Sequence, residues 1–139
     1  RIKRGDRVAV AQTLGSRLAD EAQLVIGGGP LLVENGEINV RSREEAMAPD
    51  IAHGRAPRTG IAVTADGTVI LMVADGRSRY SAGMTLKEFA GYLKRFGAVS
   101  ALNFDGGGSS EMVLDGKIMN RPSDGAERPV SIGLGIFRK

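Results

Sequence analysis

A chain of 139 residues is one domain's worth, and 42% hydrophobic with 25% charged residues describes a globular protein with a core. The absence of cysteine excludes disulfides, thiolate zinc sites and cysteine nucleophiles. A net charge of +3 on scattered Lys and Arg, with 4% aromatics and no Trp, argues against a nucleic-acid surface and against an aromatic sugar shelf.

No apolar run reaches the length of a membrane span, and no signal-peptide pattern is present. The chain opens Arg1-Ile2-Lys3 without a methionine, which suggests a processed or trimmed piece.

Period-two patterning dominates. "RVAVAQ" (7–12) reads as a strand, and a weaker helical pattern follows from Gly15 to Gln23. "PLLVENGEINV" (30–40) reads as two short strands around Asn35-Gly36, a strong hairpin signal because both turn positions need positive φ. The stretch from Ser42 to Thr59 lacks periodicity and reads as a long loop holding the single histidine, His53. "GIAVTADGTVILMVADG" (60–76) repeats the hairpin device around Asp66-Gly67. Its second arm, Val69 to Val73, is continuously apolar and is expected to be a central strand buried on both faces.

"TLKEFAGYLKRFG" (85–97) predicts a helix. Thr85 and Glu88 make a capping box, Leu86, Phe89, Ala90, Leu93 and Phe96 form one apolar stripe, and Gly97 supplies the stop. "VSALNF" (99–104) and "SEMVL" (110–114) are strands, Asp115-Gly116 turns the chain into "KIMN", and "PVSIGLGIF" (129–137) is expected to close the domain as a last strand. The sum is an α+β domain over 1–139: a strand-rich mixed sheet built from hairpins, with the 85–97 helix packed on it.

The chemistry-bearing stretch is "FDGGGSSEM". Each glycine in a run loses more conformational freedom on folding than any other residue, so three together imply a close approach to the backbone. Their N–H groups are expected to form a concave nest for anionic oxygens, with Ser109 and Ser110 adding hydroxyls. No lysine follows and no helix starts there, so this is not a P-loop. The plain alternative is a glycine-rich hairpin without a ligand. A second triple glycine, "IGGGP" (26–30), carries the same two readings.

Arg121 and Arg128 in "NRPSDGAERP" suit phosphate or carboxylate, or else simply face water. Arg58 and Thr59 stand at the entry to one strand, and Asp75 and Arg77 at the exit of another. One histidine cannot make a typical zinc site, and the carboxylates follow no ligand-spacing motif, so no cofactor is expected; a divalent cation held by Asp75, Asp105 and Asp124 has no motif behind it. No serine sits in a nucleophile-elbow context.

Taken together, "GGGPLLVENG", "APRTGIAVTADG", "VILMVADGRS", "GMTLKEFA", "LNFDGGGSSEMV" and "NRPSDGAERPVS" resemble the phosphodiester glycosidase family. This is the family of uncovering-enzyme-like hydrolases and of bacterial exopolysaccharide biosynthesis proteins. The likeness runs from about Gly27 to the end of the chain.

The resemblance implies hydrolysis of a sugar-1-phosphodiester such as an N-acetylglucosamine-1-phosphate diester, in an extracytoplasmic setting (secreted, cell-surface or periplasmic), on a phosphorylated glycan. It carries substrate contacts onto Arg58, Thr59, Arg77, Gly106, Gly107, Gly108, Ser109, Ser110, Asn120, Ser123 and Arg128. Asp105 is the expected reactive carboxylate, with Asp75 or Asp124 as the second. Position 111 is Glu where the family commonly has Thr, and an "NGGF"-like N-terminal segment is missing. An unpaired sheet edge would follow, with self-association expected. The competing reading is a non-catalytic module that binds an anionic glycan or phosphodiester polymer.

Overall fold

The structure, a computed structural model, describes residues 3–9, 15–17, 21–22 and 24–137. Residues 10–12 of the strand expected over 7–12 and residues 18–20 and 23 of the helix expected over 15–23 lie outside them, and residues 7–9 form no strand.

Strand β1 (Leu31–Glu34) turns into β2 (Glu37–Ile38) through Asn35 and Gly36, whose φ angles of 51° and 78° are the positive pair that this turn requires. Within the expected long loop lies one short helix, α1 (Pro49–His53), started by its proline. Strands β3 (Arg58–Thr64) and β4 (Val69–Ala74) form the second hairpin, with Gly67 at φ 86°.

Helix α2 (Leu86–Arg95) then crosses to β5 (Ala98–Asn103). Its capping box is present as expected: Thr85 accepts from the Glu88 N–H, and Glu88 reaches back to the Thr85 N–H. A 3₁₀ turn at Gly107–Ser109 leads to the small hairpin of β6 (Val113–Leu114) and β7 (Lys117–Ile118). Asp115 and Gly116 again supply two positive φ angles, 50° and 73°.

The fold is α+β. One five-stranded sheet has the order β2-β1-β5-β3-β4, and each pairing is antiparallel, where a mixed sheet was expected. Strand β5 enters between β1 and β3 after the helix and runs in the same sense as β4, but β3 separates the two, so no parallel pair forms.

Alternation along the strands gives the sheet two faces. Leu86, Phe89, Ala90 and Leu93 of α2 are buried against Val33, Ala62 and Ala101 on one of them. Full burial of each large side chain contributes about 1.5–3 kcal/mol. Gly60 makes room on that face, since a Cβ there would lie 2.7 Å from the Phe89 ring.

Three expectations are corrected. Val69–Val73 lies in an edge strand and is only half-buried, because β3 is its one strand neighbour among the described residues. Phe96 caps the C-terminus of α2 and stays 63% exposed, outside the buried stripe. Residues 129–137 form no strand: Val130, Ile132, Ile136 and Phe137 remain exposed, and Gly133 and Gly135 interrupt the alternation.

Candidate active site

Strand direction gathers the chemistry. Arg58 pairs with Ala74, Gly60 with Asn103 and Leu31 with Leu102, so the starts of β1 and β3 and the ends of β4 and β5 share one end of the sheet. The loops leaving that end carry Ile26–Pro30, Asp75–Met84 and Asp105–Met112.

A cavity of about 650 Å³ opens there, on the sheet face turned away from α2. Thr59, Leu71 and Val73 form part of its floor, and Asp105, Ser109, Glu111 and Arg128 line it. Of the residues expected to act on a substrate, Asp105, Thr59, Gly108, Ser109 and Arg128 are thus brought together.

Asp105 follows the last ladder bond of β5, in which the Phe104 N–H donates to the Thr59 carbonyl at 2.8 Å. Asn103, buried on the helix side, fixes the strand exit: its Nδ2 donates to the carbonyls of Gly29 at 2.9 Å and Phe104 at 2.6 Å. The Asp105 side chain is exposed, and Oδ1 accepts only the N–H of Gly106 at 2.9 Å.

The expected nest of bare amides is mostly closed by internal bonds, with Gly108 the one amide of the turn that has no partner among the described residues. The Gly106 N–H is taken by Asp105, that of Gly107 by the Pro57 carbonyl, that of Ser109 by Gly106 and that of Ser110 by Gly107. The glycines instead admit protein groups at short range. A Cβ on Gly106 would lie 2.8 Å from the Pro57 carbonyl oxygen, and one on Gly107 2.9 Å from Arg77 Nη1. One on Gly108 would lie 2.2 Å from Asp124 Oδ2 and 2.6 Å from Arg128 Nη1. Any side chain on Gly107 or Gly108 would displace the charged groups at the rim. In the second triple glycine, Gly28 packs against Leu102, Phe104 and the Asn103 carbonyl, again a steric role.

Other expected site residues brace the rim. Asp75 Oδ1 accepts the Arg121 N–H at 2.9 Å and Asn120 Nδ2 at 3.2 Å. Asn120 also donates to the Ser110 carbonyl at 2.9 Å and accepts the Met112 N–H at 2.9 Å. Ser110 is fully buried, and its hydroxyl accepts from Thr59 Oγ1 at 3.0 Å. Asp124 pairs with Arg128 at 3.3 Å, and Ser123 reaches Asp124 at a long 3.5 Å. Asp75, Asp124, Asn120 and Ser123 do not line the cavity.

Arg58 is placed elsewhere. It is buried on the helix side, donating from Nε to the Met84 carbonyl at 2.9 Å and from Nη2 to those of Ile51 at 3.0 Å and Gly54 at 2.7 Å. It ties α1 to the sheet and is no cavity ligand. Burial, and next the positive charge of Arg77, lower its pKa. Arg77 itself is exposed, at a φ of 53°.

The sequence reading left Glu111 without a role. It lines the cavity, and burial, then the charge and hydrogen bond of Glu127, hold its carboxyl above the usual carboxylate range. The only sequence signal was its departure from the family's usual Thr. His53 is exposed at the end of α1, and among the described residues no group of three or more His, Asp and Glu is placed to hold a metal ion.

The ends of the strands thus present an acid and a glycine turn to one cavity, and the segment after β7 adds an arginine. The chain belongs to the phosphodiester glycosidase family, whose model matches residues 1–137. It is 40% identical over 80 residues to the SPbeta prophage-derived uncharacterized protein YomE of Bacillus subtilis (strain 168), covering 58% of this chain and 12% of that protein.

It is 30% identical over 109 residues to the N-acetylglucosamine-1-phosphodiester alpha-N-acetylglucosaminidase of Mus musculus, covering 72% of this chain and 21% of that enzyme. Among solved structures, a hypothetical protein from Synechocystis superposes with a TM-score of 0.65 at 38% identity, over 73% of this chain and 19% of the other. The catalytic domain of the zebrafish N-acetylglucosamine-1-phosphodiester alpha-N-acetylglucosaminidase, auto-inhibited by its pro-peptide, superposes with a TM-score of 0.62 at 30% identity, over 70% and 34%. The chain therefore spans only a small part of these relatives' lengths. No helix among the described residues is long and apolar enough to cross a membrane.

Proposed function

We propose that this chain carries the reactive carboxylate of a hydrolase that cleaves the bond between the anomeric carbon of a sugar and the oxygen of its 1-phosphodiester. An N-acetylglucosamine-1-phosphate diester of a cell-surface or extracellular glycan is the substrate, met outside the cytoplasm. The observation that carries this reading is Asp105, exposed into a cavity that also holds Arg128 and Thr59, in a member of a family of phosphodiester glycosidases.

Water adds to the anomeric carbon, the carbon–oxygen bond to phosphorus breaks, and its electron pair leaves with the phosphomonoester. Asp105 supports the positive charge that develops on the sugar, as nucleophile or as base toward water. Arg128 and the Ser109 hydroxyl face the departing phosphate and stabilise its growing charge. Phosphate is a good leaving group, so little protonation is needed. Glu111 lines the cavity, and burial, then Glu127, raise its pKa, so it is the candidate second carboxylate in place of Asp75 and Asp124.

The test is Asp105→Asn with an aryl N-acetylglucosamine-1-phosphodiester. Asp105 makes no long-range bond, so the variant folds. Turnover is expected to fall by about a hundredfold or more, within the range for loss of an acid–base group. Near-wild-type turnover would remove Asp105 from the mechanism, and tight substrate binding without any product by the unmutated protein would favour a binding module.

A further inference from the structure

The working end of the sheet also carries arginines whose guanidinium groups form no ion pair among the described residues. In the turn after β4, the Arg79 guanidinium lies 4.6 Å from the centroid of the Tyr80 ring and donates to the Tyr80 hydroxyl. From the loop after β7, the Arg121 guanidinium lies 4.4 Å from the same centroid. Tyr80 is 65% exposed, so both cations gather around one ring in contact with solvent. None of Arg77, Arg79 and Arg121 forms an ion pair among the described residues.

This cluster is held in place from below. The Asp75 carboxylate accepts the Arg121 N–H at 2.9 Å, and the Asp75 carbonyl accepts the Ser81 hydroxyl at 2.7 Å, so one residue fixes the backbone on both sides. Ser78 Oγ accepts the N–H groups of Tyr80 at 3.3 Å and Ser81 at 3.1 Å, closing the turn. Arg77, in that turn, packs on Gly107, next to the Gly108 that lies beneath Arg128. The cations therefore continue from the cavity wall outward along one rim. Like charges held this close repel, and a bound anion relieves that repulsion.

We propose that Arg79, Tyr80 and Arg121 form a second anion subsite beside the cavity, and that the substrate is a polyanionic phosphodiester with a further negative group beyond the scissile phosphate. The inference rests on the hydrolytic reading above and names its substrate class. Tyr80 gathers the two guanidinium groups around its ring, which leaves the Arg121 N–H groups, and those of Arg79 not given to the Tyr80 hydroxyl, for phosphate or carboxylate oxygens. Because the subsite is open to water, its contribution weakens as salt rises.

The experiment compares the wild-type protein with an Arg79→Gln/Arg121→Gln double variant. Two diesters of N-acetylglucosamine-1-phosphate serve as substrates, one with a benzyl group and one with a 4-(phosphonomethyl)benzyl group. In the variant, kcat/KM for the phosphonate is expected to fall about tenfold and to lose its salt dependence, with the benzyl diester changed less than about twofold. An equal loss on both substrates, or no loss on the phosphonate, overturns the proposal.

Calorimetric titration with tripolyphosphate reads the subsite without turnover. Weaker binding by the double variant at an unchanged melting midpoint supports it, and equal binding, or none by the wild type, overturns it. If tripolyphosphate binding depends on the two arginines while the wild type hydrolyses neither diester, the subsite stands and the hydrolytic reading falls.

Discussion

The Asn120 amide donates to the Asp75 carboxylate across 45 positions of sequence, at 3.2 Å. Through the same side chain, Asn120 holds the Ser110 carbonyl and the Met112 N–H, so the turn after β4, the glycine turn and the β6–β7 hairpin share one clasp. Asn120→Ala leaves these partly buried partners unmet, and unfolding in urea is expected to show a loss of about 1–3 kcal/mol. Asp75→Asn keeps an oxygen to accept the Arg121 N–H, so it should retain far more turnover than Asp105→Asn. Equal losses would make Asp75 a reacting group.

Arg58 sets a second expectation. Its guanidinium satisfies three carbonyls near α1 and the start of α2. Arg58→Ala strands them and opens a void, for a cost of about 3 kcal/mol in a denaturant titration. KM for a diester should stay near the wild-type value in the folded fraction; a large rise in KM with unchanged stability would return Arg58 to the site.

Two glycine substitutions should separate packing from chemistry. Gly60→Ala drives a methyl to 2.7 Å from the Phe89 ring and 3.0 Å from the Leu102 carbonyl, inside the core, with an expected cost of about 1–3 kcal/mol. Gly108→Ala meets first the ends of Asp124 and Arg128, which are half-exposed and free to swing into solvent. Its melting midpoint should stay close to wild type while turnover falls, because Arg128 leaves its place over the glycine turn.

Glu88 supplies a pH test. The Thr85 N–H is the main cause of its lowered pKa, with the Thr85 hydroxyl and Arg55 adding to it. A carboxyl depressed in the folded state stabilises the fold above its unfolded pKa, and the gain is lost as pH falls through the folded value. The difference in melting midpoint between wild type and Glu88→Gln should be constant near neutrality and close as pH drops from about 5 to 3. A gap that widens on acidification would contradict the capping box.

Local rules were legible in the sequence, and partners across space were not. Asn35-Gly36 and Asp115-Gly116 announced their hairpins because few other residues take two positive φ angles in succession. Thr85 and Glu88 fixed the start of α2 through bonds that span a single turn. By contrast, an apolar run such as Val69–Val73 reads alike in a central strand and at an edge, since the difference lies in whether a second neighbour exists.

The same limit governs the site. Asp105 stood out by residue type and by its position at a strand end, and Arg128 by residue type. Arg58 and Thr59 are adjacent, and strand alternation sends them to opposite faces, one under α1 and one into the cavity. Glu111 gains interest from its place in the cavity lining, from burial and from Glu127, sixteen positions on. The glycines signalled close approach, but what approaches Gly107 and Gly108 comes from distant segments of the chain.

The antiparallel register also gives the sheet a second end, remote from Asp105. Seven residues of β3, roughly 20 Å of strand, separate Arg58 from the Asp66-Gly67 turn, and the Asn35-Gly36 turn lies at the same remote pole. That pole is where a fluorophore, an affinity peptide or a surface tether can be grafted at Asp66-Gly67 with the pole that bears Asp105 left unobstructed, which makes immobilised single-molecule study of this domain practical.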